Sequence, residues 1–359
     1  MSPPSHIRSV GRWAWSPCWV ALLGLAGCMS VPPTHLTTDR MDYGQVVAES
    51  WKRQTLLNVV RLRYADAPVF LDVASIINSH TAGGTASAQA TLPSGASPDV
   101  FELGGTGAWS NTPTVTFQPL LGERFTKALL QPIPPAAVFE LLQGGWSAGL
   151  VFNTVVGSIN GLRNASSGAP PDPGFDELRE ALARIQRSGD IGIEVVSHES
   201  GGAVLFVIRR PTGEVQSSGD GPRVRELLGL PGDSDQFEIV YGMFPRTPTQ
   251  VAVLTRSMME IMLSLGFGID VPAADLASGR VLPGRRQAGD AESVPLVRIR
   301  SGPEAPADTY AAVQYKRSWY WIDENDVASK RTFTFLLILF SLAETGQGAA
   351  APVVTVPSR

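Results

Sequence analysis

The chain has 359 residues, 43% hydrophobic and 17% charged, enough apolar material for one large core or two modest ones, which excludes a disordered polyelectrolyte. Its 29 Lys and Arg against 33 Asp and Glu give a net charge of −4, with no excess of base to neutralise a phosphate backbone, so no nucleic-acid partner is expected. Two cysteines exclude a disulfide scaffold and any site built from several thiolates.

Arg8 and Arg12 precede an apolar stretch from Trp13 to Gly27 that ends in the small residues Ala26 and Gly27, the plan of a secretory signal. At about 15 residues this stretch is shorter than the roughly 20 a helix needs to cross a bilayer core. Its end, Leu25-Ala26-Gly27-Cys28, resembles the lipobox of bacterial lipoproteins. The resemblance implies that residues 1–27 are a signal peptide cut off before Cys28, that the Cys28 thiol takes a diacylglyceryl group by thioether, and that the new amine is acylated, as palmitate incorporation would report. Each buried acyl methylene contributes about 0.8 kcal/mol, so three chains hold firmly where one holds marginally. Met29 follows the cysteine where an Asp would imply retention in the inner membrane, so the resemblance implies the periplasmic face of the outer membrane. Twin arginines are absent, and export through the general pathway is expected. Loss of Arg8 and Arg12 leaves 27 basic against 33 acidic residues, or −6. Cys18 leaves with the signal and Cys28 is acylated, so the mature chain carries no free thiol.

Residues 28–41 include Val31 to Thr38, with prolines at 32 and 33, and predict an extended lipidated tether. A first α+β region spans 42–163. Asp42 is the expected cap of a helix from Tyr43 to Tyr64, where Val46, Val47, Trp51, Leu57 and Val60 recur at helical spacing. Arg61 and Arg63 suit its solvated, dipole-matched end. Pro68 stops the helix, and Val69 to Ile77 reads as a buried strand. From Thr81 to Pro98 the chain is nearly all Ala, Gly, Ser and Thr, which predicts an exposed loop or weak hairpin. Strand-like pieces follow at Phe101 to Trp109 and Thr114 to Phe117. Helical patterns then cover Gly122 to Leu130, Ala136 to Gln143 and Ala148 to Leu162.

Residues 164–174 are turn formers without apolar content, a linker or long surface loop before a second α+β region at 175–359. There a helix starts at Phe175 and ends before Gly189, and Ile191 to Val196 and Ala203 to Ile208 alternate as a hairpin. Further elements are a helix at Val224 to Leu228, strands at Phe237 to Tyr241 and Val251 to Leu254, and a helix from Ser257 to Leu265. Gly279 to Ser293 reads as loose. Strands return at Leu296 to Ile299 and Ala311 to Tyr315, and Lys316-Arg317-Ser318 turns into Trp319-Tyr320-Trp321-Ile322. A helix from Asp326 to Ala343 and a short strand at Val353 to Val356 close the chain. Hairpins and helix clusters without strict alternation predict an α+β fold, with an N-terminal helix, antiparallel hairpins and packed helices in one or two subdomains.

Gly145-Trp146-Ser147-Ala148-Gly149 matches G-x-S-x-G, the elbow that lifts a nucleophilic serine at a strand-to-helix turn. The stretch before it reads as a helix, and His198, with Asp172, Asp176 or Asp190 as its acid, sits in a Gly- and Ser-rich turn, so a plain helix–helix turn is the expectation. His35, His80 and His198 are scattered, and no metal site is predicted. Asp323, Glu324 and Asp326 are the densest acids, read as caps of the last helix. Gly104-Gly105-Thr106-Gly107 has neither dinucleotide nor phosphate-loop spacing, and no cofactor is predicted. Trp319 and Trp321 alternate onto one strand face, where they would pack or form a platform for a glycan or protein partner.

These features give an outer-membrane lipoprotein, anchored at Cys28 on the periplasmic face, that binds or scaffolds another envelope component and is not expected to be an enzyme. The body is similar to bacterial envelope proteins of unknown activity. The alternatives are a lipid-anchored envelope hydrolase using Ser147 and a glycan-binding module using Trp319 and Trp321.

Overall fold

The described backbone begins in a helix, directly after the two prolines in sequence. In this computed structural model, which describes residues 34–91, 100–165, 169–188, 191–198, 201–208, 220–282 and 295–344, helix α1 covers Thr34–Arg63. The signal, Cys28, the core of the segment Gly279 to Ser293 and the strand expected at Val353 lie outside the described residues. The extended tether expected through residue 41 is corrected from Thr34 onward. Nothing between Thr34 and Tyr43 breaks a helix, so Asp42 lies within α1 and is not its cap. By its contacts the chain divides inside α1, at Glu49 and Ser50; in the first unit Met41 and Val46 are exposed, and all that follows concerns the second.

Helix α1 ends at Arg63, and two residues on Ala65 takes the left-handed conformation (φ 58°) before Pro68. Two long strands follow, β1 (Leu71–Thr91) and β2 (Val100–Pro119), paired antiparallel from Leu71 opposite Pro119 to Thr91 opposite Val100. They form a two-stranded sheet of their own. Of the loop or weak hairpin expected from Thr81 to Pro98, the hairpin is what forms: the chain is paired strand as far as Thr91, and residues 92–98 lie outside the described residues. Glycine and alanine lower the hydrophobic signal there, yet alternation of small apolar and hydroxyl residues continues and suits a pleated ribbon. The strand expected to be buried from Val69 is also corrected, since Val69 and Leu71 are exposed and only Phe70 between them turns inward.

Beyond the ribbon come α2 (Gly122–Phe125), continued by a π-helical turn at Thr126–Leu130, then α3 (Pro135–Gln143) and α4 (Ala148–Val155). The helix expected to reach Leu162 stops at Val155. Strands β3 (Val156–Ile159) and β4 (Leu162–Arg163) take its place, joined by Asn160-Gly161 with φ 44° and 86°, the tight-turn chemistry that the helical pattern concealed. Then follow α5 (Phe175–Ser188), β5 (Ile191–His198), β6 (Gly201–Ile208), α6 (Asp220–Leu228), β7 (Gln236–Tyr241), β8 (Gln250–Thr255) and α7 (Met258–Gly266). Ser257 caps α7, its hydroxyl accepting from Glu260 N at 3.2 Å. A short α8 (Ala273–Ala277), β9 (Arg300–Gly302), β10 (Thr309–Tyr315), β11 (Ser318–Asp323) and α9 (Val327–Glu344) complete the described chain. The strand expected at Leu296 to Ile299 is displaced to β9, and Ile299 only bridges to Ile269.

The architecture is α+β. One sheet has six strands in the order β4-β3-β8-β7-β6-β5, antiparallel except for the parallel pair β7 and β8, and another has three, β10-β11-β9. Phe139 of α3 packs against Phe152 of α4 and Phe206 of β6, ring centroids 6.4 and 5.4 Å apart. The three-stranded sheet buries Tyr320 and Ile322, Tyr320 meets Tyr64 just past α1 edge-on at 6.3 Å, and Tyr310 meets Phe333 of α9 edge-on at 6.2 Å. A single apolar cluster runs through residues from Leu56 to Phe340.

Candidate functional site

Strict alternation in β11 divides its side chains. Tyr320 and Ile322 are fully buried, while Trp319 and Trp321 lie partly exposed on the outer face. Opposite them in β9 is Gly302, in register with Trp319. The glycine suits close approach: a Cβ at 302 would stand 3.1 Å from Trp321 Cη2 and push the ring back by a few tenths of an ångström from the neighbouring strand. The indole is fixed from its other end, where Nε1 donates to Asp323 Oδ1 at 3.3 Å, and Asp323 is held by Arg300 at 3.0 Å. The two tryptophans thus share one strand face, a strip bordered by the Asp323–Arg300 ion pair.

The strip is positioned by polar packing beneath its hairpin. The Tyr64 hydroxyl donates to Asp275 Oδ2 at 2.6 Å and lies 2.5 Å from the Tyr320 hydroxyl, which therefore donates to it. Tyr315 bonds Asp66, and Lys316 Nζ sits 3.5 Å from Asp66 and over the Tyr64 ring, 4.5 Å from its centroid. Burial first, and then the Asp275 carboxylate, push the Tyr64 phenol far above its ordinary value; burial also raises Tyr320. Burial with the Asp66 bond pushes Tyr315 up to about 12. The phenol bonds hold the Asp66 and Asp275 carboxyls below the usual carboxylate range. Phenols kept protonated and carboxylates kept charged form a clamp, and neither is poised as a base near neutrality.

The other residues singled out by sequence are not brought together as a site. Ser147 is exposed at the start of α4 with α3 just before it, so the strand that an elbow requires is missing. The turn is capped instead by Gln186 of α5, whose amide donates to Leu142 O (3.0 Å) and Trp146 O (2.7 Å) and accepts from Ala148 N (2.9 Å). Asp172 is engaged by Arg163 at 3.0 Å and Asp176 by Arg179 at 3.1 Å; Asp190 and the His198 side chain lie outside what is described. The acidic group disperses: Asp323 pairs with Arg300, Glu324 with Lys330, and Asp326 caps α9 by accepting from Ser329 N at 3.1 Å. Arg63, expected in solvent, is buried, donates to Leu282 O at 2.6 Å and lies 5.5 Å from the Phe267 ring centroid.

Two residues the sequence reading passed over root the ribbon. Asn58 donates to Val69 O (2.8 Å) and accepts from Val69 N (2.9 Å), and Gln54, one turn earlier in α1, does the same for Leu71 at 3.1 and 2.9 Å. Side-chain amides four apart on a helix face thus replace the backbone of a neighbouring strand. Only that spacing of Gln and Asn, opposite an extended segment, signals them in sequence. Among the described residues no helix is long and apolar enough to cross a membrane. No protein-family model, curated protein or solved structure matches the chain.

Proposed function

We propose that the chain is a lipoprotein held on the periplasmic face of the outer membrane through acylated Cys28, and that its body binds another envelope component through the strip of Trp319 and Trp321. The observation that carries the address is the coincidence of Leu25-Ala26-Gly27-Cys28 with the end of a short apolar run behind Arg8 and Arg12. The strip supports the binding role, because two partly exposed tryptophans on one strand face, with Trp321 lying against Gly302, offer aromatic area at low entropic cost. A serine hydrolase at Ser147 is disfavoured by the helix that precedes it.

Radiolabelled palmitate should enter the wild-type protein and be lost from Cys28→Ala; label retained in that variant overturns the anchor. For the strip, a photo-crosslinker at Gln314 should capture an envelope glycan or protein in cells. That capture should fall at least tenfold in Trp319→Ala/Trp321→Ala with the melting transition preserved; undiminished capture rejects the strip as the binding surface.

A further inference from the structure

The ribbon of β1 and β2 has far more strand than its attachment requires. Register assigns its positions to two faces. One face has alanine at 82, 86, 88 and 90, opposite Trp109, Gly105, Leu103 and Phe101. The other has Thr85 opposite Thr106, Ser87 opposite Gly104 and Gln89 opposite Glu102, and there the Thr85 and Thr106 hydroxyls bond at 2.6 Å. Thr85, Ser87, Thr106 and Ala108 are all exposed. Neither strand contains Lys or Arg; the acids are Asp72, at the root, and Glu102, which falls on the hydroxyl face.

From these features we infer that the ribbon is one repeat of a transmembrane β-barrel assembled from several copies of this chain, with the alanine face toward lipid and the hydroxyl face toward a water-filled lumen. The apolar face has the right length. Phe101 and Trp109 are eight residues apart, about 26 Å along the strand and about 20 Å after a 40° tilt, comparable to the roughly 25 Å apolar band between the aromatic girdles of such barrels. The nine residues from Phe101 to Trp109 match the roughly 9–11 of a membrane-crossing strand. On the root side of Trp109 the pairs become polar, His80 opposite Asn111 and Asn78 opposite Pro113, as at a membrane boundary. A bilayer offers no partner for backbone N–H and C=O groups, and among the described residues no third strand pairs with either outer edge of this two-stranded sheet. Copies must therefore pair edge to edge and close, and at two strands each the smallest barrels, of about eight strands, need about four copies.

The inference rests on the membrane address proposed above, so palmitate incorporation is read on the same preparation and reports a failed anchor separately. Full-length lipidated protein is reconstituted in phosphatidylethanolamine–phosphatidylglycerol vesicles, each sample carrying one fluorophore on Ala86→Cys, Ala88→Cys, Thr85→Cys or Ser87→Cys. Positions 86 and 88 should be quenched by bilayer nitroxide and 85 and 87 by aqueous iodide, each at least threefold more strongly than by the other reagent. Equal quenching on the two faces overturns the barrel. Ala86→Arg should abolish ion conductance while Thr85→Arg retains it, both with the melting transition of wild type, whereas identical conductance in the two variants rejects the face assignment. Wild type extracted in mild detergent should sediment as a closed oligomer, and a monomer overturns the proposal.

Discussion

Tyr64 has one hydroxyl proton and two polar neighbours, and the proton goes to Asp275. Tyr64→Phe removes that donor and leaves the fully buried Tyr320 hydroxyl without its acceptor, a change worth about 1–3 kcal/mol. Denaturant unfolding should show that loss, with the helical circular-dichroism signal intact. The pH dependence follows from the directions of the shifts. Asp66 and Asp275 titrate below 3.8 when folded, so their contribution is complete above the ordinary carboxylate value and is lost as pH falls through the depressed folded values. Tyr315 titrates at about 12 when folded and 10.0 when not, so its contribution is complete below pH 10 and is lost as pH rises toward 12. Melting curves against pH should decline at both ends, and Tyr64→Phe should flatten the acid limb, because Asp275 loses the largest cause of its depression.

At the scale of elements, the amide pair of Gln54 and Asn58 decides how the ribbon leaves the body. Asn58→Leu keeps the volume but strands the N–H and C=O of Val69, and should cost about 2 kcal/mol with a melting transition lower by several degrees. Hydrogen exchange at Val69 and Leu71 should accelerate while exchange in α3 stays as in wild type. Most elements were legible in the sequence because one residue type marked each. Alternation marked β5, β6 and β11, and Ser257 and Asp326 marked the starts of α7 and α9. The strip was legible for the same reason, since alternation alone separates Trp319 and Trp321 from Tyr320. The turn at Asn160-Gly161 was hidden by hydrophobic residues whose spacing also fits a helix. The ribbon's strands were legible at both ends but its full length was not, because alanine against threonine is a faint contrast, and the clamp around Tyr64 joins residues up to 256 positions apart that no local pattern connects.

On the scale of the whole molecule, body and ribbon are built by different rules. The apolar cluster contains no residue between Phe70 and Leu120 among those whose burial is described, and the body is expected to fold without the ribbon. A chain in which residues 74–116 are replaced by Asn-Gly, joining Val73 to Phe117, should melt within a few degrees of wild type, as calorimetry would show. Its membrane conductance should be lost. The open edges have one more consequence, in time rather than in space. Rows of N–H and C=O unpaired among the described residues, on a nearly uncharged ribbon, are a template for any extended chain, a misfolded neighbour included, and for fibrils. The same edges that would close a ring thus make the lone subunit its own hazard, and light scattering from monomer diluted out of detergent should rise with time.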